Sequence, residues 1–274
     1  MTGRNVFPPL ALLLPLLAAG PAFAASPQRA IDQRAVDHNA EMQACTRLAE
    51  TRPDAALESA QVWQERGGGD RAQLCKALAL FHKGDFKAAG ARFEEVAPRL
   101  GRDDPQAAAA LYGRAGWAWL RAGDQARAEK AYGEALKRQP DDVDLRIDRA
   151  FARAEAERYW DAVADLDVAI ARDSTRPEAF LYRAAARKAL SQYREALHDV
   201  ARALELKPND PETVLLRGNI KVASGDLKGA RDDWKLVRRL APDGRPAKSA
   251  ADNLARLDKA EGAPPPKAAE PKKP

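Results

Sequence analysis

The sequence has 274 residues, and its 45 lysines and arginines stand against 40 aspartates and glutamates, for a formal net charge of +5. Charges of the two signs are mixed along the chain, which predicts a solvated surface and argues against a nucleic-acid partner. Beyond the N-terminal region, no segment is apolar enough to predict stable insertion into a membrane.

The N-terminal segment 1–24 has the pattern of a secretory signal peptide. Arg4 precedes an apolar run over residues 10–19, and Ala22, Phe23 and Ala24 form a small-x-small cleavage site. The alternatives are an uncleaved anchor and an ordinary apolar helix, but the run is short and the region is rich in proline. We therefore expect a signal peptide over residues 1–24, a linker over residues 25–36, and a periplasmic or secreted mature chain.

From residue 109 onward, equivalent residues recur at one fixed interval along the sequence, for example from Ala128 to Ala162. Two columns of this repeat are Ala128, Ala162, Ala196 and Ala230, and Ala135, Ala169, Ala203 and Val237. A fixed period of this length is typical of solenoids, in which each unit buries its apolar face against its neighbours. The period divides this part of the chain into units at 109–142, 143–176, 177–210 and 211–244.

Each unit is predicted to form two helices, A and B, because its apolar residues recur at intervals of three and four. In the unit 177–210, we expect helix A over residues 178–190 and helix B over residues 193–206. Pro208 ends helix B, because proline lacks the N–H of the helical hydrogen bond and disfavours helix in the residue before it.

Two more divergent units precede these four, at residues 37–69 and 70–103. Gly84, Asp85 and Ala89 identify the second of them, and five extra residues around 104–108 lengthen the junction to the next unit. Residues 245–260 are helical in pattern and more polar, as a terminal capping helix should be. Residues 261–274 are rich in proline, alanine and lysine, which predicts a disordered tail.

The repeated residues resemble the tetratricopeptide repeat (TPR). In the unit 109–142, the pattern is carried by Tyr112, Ala115, Gly116, Trp119, Ala128, Tyr132, Ala135 and Pro140. The resemblance implies an all-α, right-handed superhelix of about six helix-turn-helix units and a C-terminal capping helix. The chaperone-binding subgroup holds a C-terminal carboxylate with Lys, Asn and Arg at fixed positions, and Gly113 and Trp117 occupy two of these positions here. That activity is therefore not implied.

The resemblance also implies that a partner binds in a concave groove lined by the A helices. The residues expected in this groove are Leu74, Leu78, Phe81, Arg114, Trp117, Arg121, Asp148, Phe151, Glu155, Leu181, Tyr182, Lys188, Leu215 and Asn219. Trp117 is the strongest single candidate for partner contact, because it is off the repeat pattern. Arg114 and Arg121 lie three and four residues from it, on the same face of the helix.

Cys45 and Cys75 are the only cysteines, and they fall in the middle of helix A in the first and second units. Neighbouring A helices of a TPR stack lie side by side, and an exported chain with an even number of cysteines favours a disulfide. Two buried free thiols are the alternative. A redox-active pair is disfavoured, because no Cys-x-x-Cys motif is present.

Arginines on helix A and aspartates on helix B recur together, at the same spacing in three units. The pairs are Arg149 with Asp165, Arg183 with Asp199, and Arg217 with Asp233. In the unit 109–142, both positions are replaced together, by Ala115 and Ala131. The joint replacement predicts an ion pair that fixes the register of helix A on helix B. A catalytic role is disfavoured, because a single active site would not repeat three times.

The sequence shows no arrangement typical of an enzyme, a metal site or a cofactor site. His38, His82 and His198 lack ligand spacing, and neither Gly-x-Ser-x-Gly nor His-Glu-x-x-His occurs. We therefore expect no catalytic residue, metal or cofactor.

The pattern favours a protein–protein interaction scaffold that binds a peptide or helix of an envelope partner. The alternative is a glycan-binding or enzyme-associated module in cell-wall remodelling, with groove aromatics such as Trp117, Phe151 and Tyr182 stacked on sugar rings.

Overall fold

The computed structural model describes residues 37–261. The predicted signal peptide (1–24), the linker (25–36) and the predicted tail beyond residue 261 lie outside the described residues. The described part of the chain therefore consists of the repeat region and its capping helix.

Residues 37–261 form thirteen helices and no strand. The helices are α1 (His38–Thr51), α2 (Pro53–Glu65), α3 (Gly69–Lys83), α4 (Phe86–Leu100), α5 (Pro105–Arg121), α6 (Gln125–Arg138), α7 (Val143–Glu155), α8 (Tyr159–Arg172), α9 (Pro177–Ala189), α10 (Tyr193–Leu206), α11 (Pro211–Ala223), α12 (Leu227–Leu240) and α13 (Arg245–Glu261). Odd-numbered helices up to α11 are the A helices and even-numbered helices are the B helices of six consecutive packed pairs, and α13 packs on the last pair. The predicted all-α TPR superhelix with a capping helix is confirmed.

Helix ends lie within a few residues of those expected from the sequence. In the fifth unit, helix A is Pro177–Ala189 and helix B is Tyr193–Leu206. The extra residues at the junction after the second unit do not form a longer loop. They extend α5 by an added first turn that begins at Pro105, where proline costs little and Asp104 accepts a hydrogen bond from the N–H of Ala107 at 3.0 Å. The capping helix is one residue longer than predicted and ends at Glu261.

In the second to sixth units, a left-handed residue makes the turn from helix A to helix B. This residue is Gly84, Gly123 or Gly225 in three of these units and Glu157 or Ser191 in the other two, with φ between 59° and 92°. Glycine adopts this conformation freely, whereas a residue with a Cβ is strained by about 1–2 kcal/mol. An aspartate follows each glycine and caps helix B, whereas Arg158 and Gln192 make no side-chain cap. The fourth and fifth units therefore have weaker turns than their neighbours.

The sizes of facing residues are matched where helix A crosses helix B. The repeat places Gly116 opposite Tyr132 and Gly218 opposite Trp234, whereas Ala150 and Ala184 face the equivalent Leu166 and Val200. A Cβ added to Gly116 would lie 2.7 Å from the Tyr132 ring, and one added to Gly218 would lie 2.6 Å from the Trp234 indole. Because protein interiors are close-packed, a large ring on helix B requires a glycine on helix A in these two units.

No helix within residues 37–261 combines the length and the apolar character needed to cross a membrane.

Candidate functional site

The A helices form one face of the stack. The pairs α1 and α3, α5 and α7, α7 and α9, and α9 and α11 are in contact, and α11 also contacts the capping helix α13. This inner face is the surface that the TPR fold presents as its groove. Side chains on it that are exposed and have no partner within the described chain are therefore the candidates for binding.

The three evenly spaced arginine–aspartate pairs are in contact in the structure, and they lie between helix A and helix B. Arg183 donates to Asp199 through Nε and Nη2, at 3.0 and 2.6 Å. The equivalent distances are 2.9 and 2.6 Å for Arg149 with Asp165, and 3.0 and 2.6 Å for Arg217 with Asp233. All three aspartates are buried. These pairs hold each unit together and offer no acid to a partner or substrate.

A second cation, which was not expected from the sequence, reaches each of these aspartates. Arg153, Arg187 and Lys221 lie 2.7, 2.7 and 2.8 Å from Asp165, Asp199 and Asp233. Each second cation follows the first arginine by one helical turn. The second cations therefore recur with the period of the repeat, and this recurrence could have identified them in the sequence. At least two cations compensate each buried charge, since Arg146 also lies 3.7 Å from Asp165, and the hydrogen bond to Asp165 raises the pKa of the Arg149 guanidinium.

In the third unit, Trp119 occupies the position of the second cation and is 1% exposed. Ala115 and Ala131, which replace the first arginine and the aspartate, are fully buried beside it. An apolar contact has therefore replaced the polar cluster as a whole.

Cys45 on α1 and Cys75 on α3 form a disulfide, with their Cα atoms 5.8 Å apart. Both residues are buried, and the bond joins the A helices of the first two units. The disulfide lies in the interior, where neither sulfur is exposed toward the groove, and it therefore acts as a structural cross-link.

At the N-terminal end of the inner face, the structure corrects one residue assignment. Leu74 and Phe81 are half-buried and pack against the core, so each leaves part of its surface free. Leu78 is buried within that core and offers almost no surface to a partner. Because it fills the space between helices, Leu78 belongs to the packing and not to the groove.

Trp117 on α5 is 42% exposed, although tryptophan is usually buried. Arg114 is an exposed residue and has no ion pair with another described residue, and desolvation of its guanidinium lowers its pKa. Arg121 is also exposed, and its guanidinium carbon lies 4.4 Å from the centre of the Phe86 ring on α4. All three residues therefore present surface to a partner, and Arg121 has in addition a contact within the chain.

In the middle of the inner face, acids and aromatic rings lie together. The rings of Phe151 on α7 and Tyr182 on α9 are 5.5 Å apart, and they line a cavity of about 260 Å³ that Glu155 and Tyr159 also line. Asp148 lies one turn before Phe151 and is half-buried. Burial is the main cause that raises the pKa of Asp148 from 3.8 to about 7; the charges of Asp144 and Asp142 contribute to the rise, and Arg176 opposes it.

At the C-terminal end of the inner face, a second cavity of about 450 Å³ has a basic rim. Lys188, Asn219, Asn253 and Arg256 are among its lining residues, from α9, α11 and the capping helix. The side-chain oxygen of Asn219 accepts hydrogen bonds from Trp234 at 3.1 Å and from Asn253 at 2.9 Å.

Along the inner face, the charge therefore changes from basic at Arg114 to acidic at Asp148 and Glu155, and back to basic at the second cavity. Leu181 and Leu215, which were also expected in the groove, are half-buried.

Within residues 37–261, no group of three or more histidines, cysteines, aspartates or glutamates is placed to hold a metal ion. The inner face thus presents rings, charges and two shallow cavities.

Comparison with solved structures agrees with this architecture. No protein-family model matches the sequence, and a search of curated proteins finds no match. The C-terminal part of a TPR repeat-containing protein from Cytophaga hutchinsonii is 15% identical over 81% of this chain and 89% of that chain, with a TM-score of 0.61. A crystal structure of MamA protein is 14% identical over 64% of this chain and 93% of that chain, with a TM-score of 0.54. At these identities the likeness shows the fold alone: the chain has the fold of a tetratricopeptide-repeat solenoid.

Proposed function

We propose that this protein is a periplasmic scaffold that binds a peptide or helix of an envelope partner protein in the groove formed by its A helices. The observation that carries the proposal is Trp117, a large ring that is 42% exposed on the inner face, one turn from the exposed Arg114. Tryptophan and arginine are enriched at interface hot spots. The buried charges of the repeat are compensated within the chain, which is what a scaffold needs and an active site does not.

Two features support an exported chain. Residues 1–24 have the signal-peptide pattern, and the Cys45–Cys75 disulfide suits an oxidising compartment. N-terminal sequencing of protein from a periplasmic fraction should begin at Ala25. A chain that still starts at Met1, or that is recovered from the cytosol, would count against export.

The binding proposal is tested by affinity capture from an envelope extract with the mature chain. Trp117→Ala should weaken capture about 30-fold, since truncating a hot-spot residue costs about 2 kcal/mol or more. Trp160→Ala is the matched control, because Trp160 is 64% exposed but lies on a B helix. Helical content and melting temperature should stay unchanged in both variants. Equal capture by wild type and Trp117→Ala, or equal loss in both variants, would refute binding at this part of the groove.

A second candidate function is glycan binding, favoured by the exposed Trp117 and by the Phe151–Tyr182 ring pair beside an open cavity. Aromatic rings stack on the apolar faces of sugars. Co-sedimentation of the mature chain with isolated cell wall distinguishes the two functions. Sedimentation that Trp117→Ala abolishes, without capture of any protein, would favour the glycan.

A further inference from the structure

Asp148 differs from the four buried aspartates of the described part of the chain. Asp199 and Asp233 each contact two cations, Asp165 contacts three, and Asp210 accepts hydrogen bonds from Thr213 and contacts Lys207. Asp148 is half-buried on the inner face, and no hydrogen bond or ion pair joins it to another residue in 37–261. Its charge has lost part of its hydration without gaining a donor, which is unfavourable.

The face of α7 around Asp148 is shaped as a site. Asp148, Phe151 and Glu155 follow one another at intervals of three and four residues, which places them on the same side of the helix. Phe151 pairs with the Tyr182 ring, and the cavity between α7 and α9 has Glu155 at its wall. Asp148 lies near enough to Tyr182 for its charge to help raise the pKa of the Tyr182 hydroxyl. Two carboxylates therefore lie near one pair of rings.

Elsewhere, the chain places its own arginines over aromatic rings. Arg121 lies 4.4 Å from the centre of the Phe86 ring, and Arg138 lies 4.5 Å from that of Tyr112. Among residues 37–261, no lysine or arginine lies over Phe151 or Tyr182 in this way. Rings attract cations through their faces, and an adjacent carboxylate adds to the attraction. Both components of a cation site are present here, and the cation is not supplied by the described chain.

The titratable and charged groups that act on Asp148 do not compensate it. The charges of Asp142 and Asp144 help to raise the pKa of Asp148. Arg176 acts to lower it, but Arg176 is itself paired with Asp144. The charge of Asp148 contributes to the raised pKa of the Tyr132 and Tyr182 hydroxyls. Arg114 occupies the equivalent position on α5 but forms no ion pair with Asp148.

We propose that the α7 face formed by Asp148, Phe151 and Glu155, together with Tyr182, binds a lysine or arginine side chain of the partner peptide. The proposal rests on the proposed function and adds the chemistry of one part of its ligand. The ammonium or guanidinium group lies against the two rings, and the carboxylates of Asp148 and Glu155 flank it. Charge complementarity selects this occupant, because an acidic or neutral side chain would leave Asp148 uncompensated.

The lysines of residues 262–274 are a second possible source of such a cation. We assign the site to a separate partner because Ala260, at the end of the capping helix, lines the same cavity as Lys188 and Arg256. These two cations lie beside the start of the lysine-rich segment, and their charges oppose its return along the inner face.

The test uses the mature full-length chain and a six-residue peptide of alternating lysine and alanine with blocked ends. Binding is measured by NMR titration, with norleucine and glutamate replacing lysine in two matched peptides. Only the lysine peptide should shift the signals of Phe151 and Tyr182 in a saturable manner. Asp148→Asn and Glu155→Gln should each weaken binding about fivefold or more. Asp167→Asn, which removes the same charge from an exposed position on a B helix, should change it less than twofold.

A pH series adds a readout that general charge attraction would not give. Lysine stays charged from pH 5 to pH 8, whereas Asp148, with a pKa of about 7, is mostly protonated at pH 5 and mostly charged at pH 8. Wild type should therefore bind the lysine peptide several-fold more tightly at pH 8, and Asp148→Asn should lose most of this increase. Asp148→Asn should keep its helical content, and its melting temperature at pH 8 should not fall, because the change removes an unfavourable, uncompensated charge.

Three results would overturn the proposal. The first two are the absence of saturable shifts with the lysine peptide and equal affinity in wild type and Asp148→Asn. The third is binding that appears only in a chain truncated after Glu261, because residues 262–274 would then be the occupant of the site. Capture of an envelope protein that depends on Trp117 but not on Asp148 or Glu155 would refute the cation site and leave the scaffold function intact. Lysine-peptide binding without capture of any envelope protein would refute the scaffold function alone.

Discussion

In the third unit Trp119 is buried, with Gly90 of α4 against its ring, whereas the equivalent Arg153 reaches the buried Asp165 in the fourth unit. The same contrast separates two regions of the solenoid. From α1 to α6, alanines, Phe93, Trp119 and Tyr132 form one apolar core, with a disulfide at its N-terminal end. From α7 to α12, each unit has a buried aspartate with two or three cations, and the apolar core is divided into smaller clusters. One repeat geometry is thus held by two chemistries.

The difference has a consequence for how each region fails. An apolar contact weakens gradually as atoms are removed, whereas a buried charge cluster loses its balance when one member is removed. The C-terminal units should therefore be sensitive to single charge changes, and the N-terminal units to the loss of the cross-link. Substitutions in each region should therefore distinguish the N-terminal units from the C-terminal units by how much each change destabilises them.

The largest effect is expected for Asp199→Ala, because Asp199 is fully buried and compensates Arg183 and Arg187. Removing it should lower the free energy of unfolding by about 3–5 kcal/mol. Asp167→Ala is the matched control, since Asp167 also contacts Arg183 at 2.7 Å but is half exposed, and it should cost less than about 1 kcal/mol. Urea unfolding measures both values, and similar costs in the two variants would show that the buried cluster does not hold the unit.

The next effect is expected for the disulfide and should be confined to the N-terminal region. Replacing Cys45 and Cys75 by serine opens a loop with a sequence separation of 30 residues and should destabilise the first two units by about 3–4 kcal/mol in the chain-entropy model. Hydrogen exchange, followed region by region, should show faster exchange in α1–α4 and unchanged exchange in α9–α12. Equal acceleration across all helices would mean that the solenoid unfolds as one cooperative body.

The repeat, the helices and the arginine–aspartate pairs follow from the sequence because the fixed period places equivalent residues in register. The second cations recur with the same period. Because one arginine is enough to neutralise the charge of each aspartate, however, nothing in the pattern predicted a second cation. Two features did not follow. Leu78 has the spacing of a groove residue, and only the packing of neighbouring helices shows that it is buried. The contact of Arg121 with the Phe86 ring joins two helices, so the spacing within α5 does not predict it.

A smaller effect is expected where residue sizes are matched across the two helices. Gly116→Ala places a Cβ 2.7 Å from the Tyr132 ring, and this overpacking should cost about 1–3 kcal/mol, less the gain of about 1 kcal/mol from the helix propensity of alanine. Gly133→Ala is the control, because a Cβ there meets no atom within 4 Å and should stabilise helix α6. Thermal unfolding of the two variants should therefore change in opposite directions. A stabilised Gly116→Ala would show that the Tyr132 ring moves aside without cost.

The smallest effect concerns the turns, and it compares units that are otherwise alike. Ser191 has φ of 59°, a left-handed conformation that costs a residue with a Cβ about 1–2 kcal/mol, whereas Gly123 makes the equivalent turn with φ of 77°. Ser191→Gly removes this strain but increases the entropy of the unfolded chain, so the net stabilisation should be about 0.5–1 kcal/mol. Gly123→Ser should destabilise the third unit by a similar amount, because it introduces the strain and gains less from the reduced entropy. Urea midpoints that move in opposite directions in the two variants would support this explanation. If both variants were destabilised, the cause would instead be the side chain of Ser191, whose hydroxyl oxygen lies 3.3 Å from that of Tyr193 and would be lost with the change.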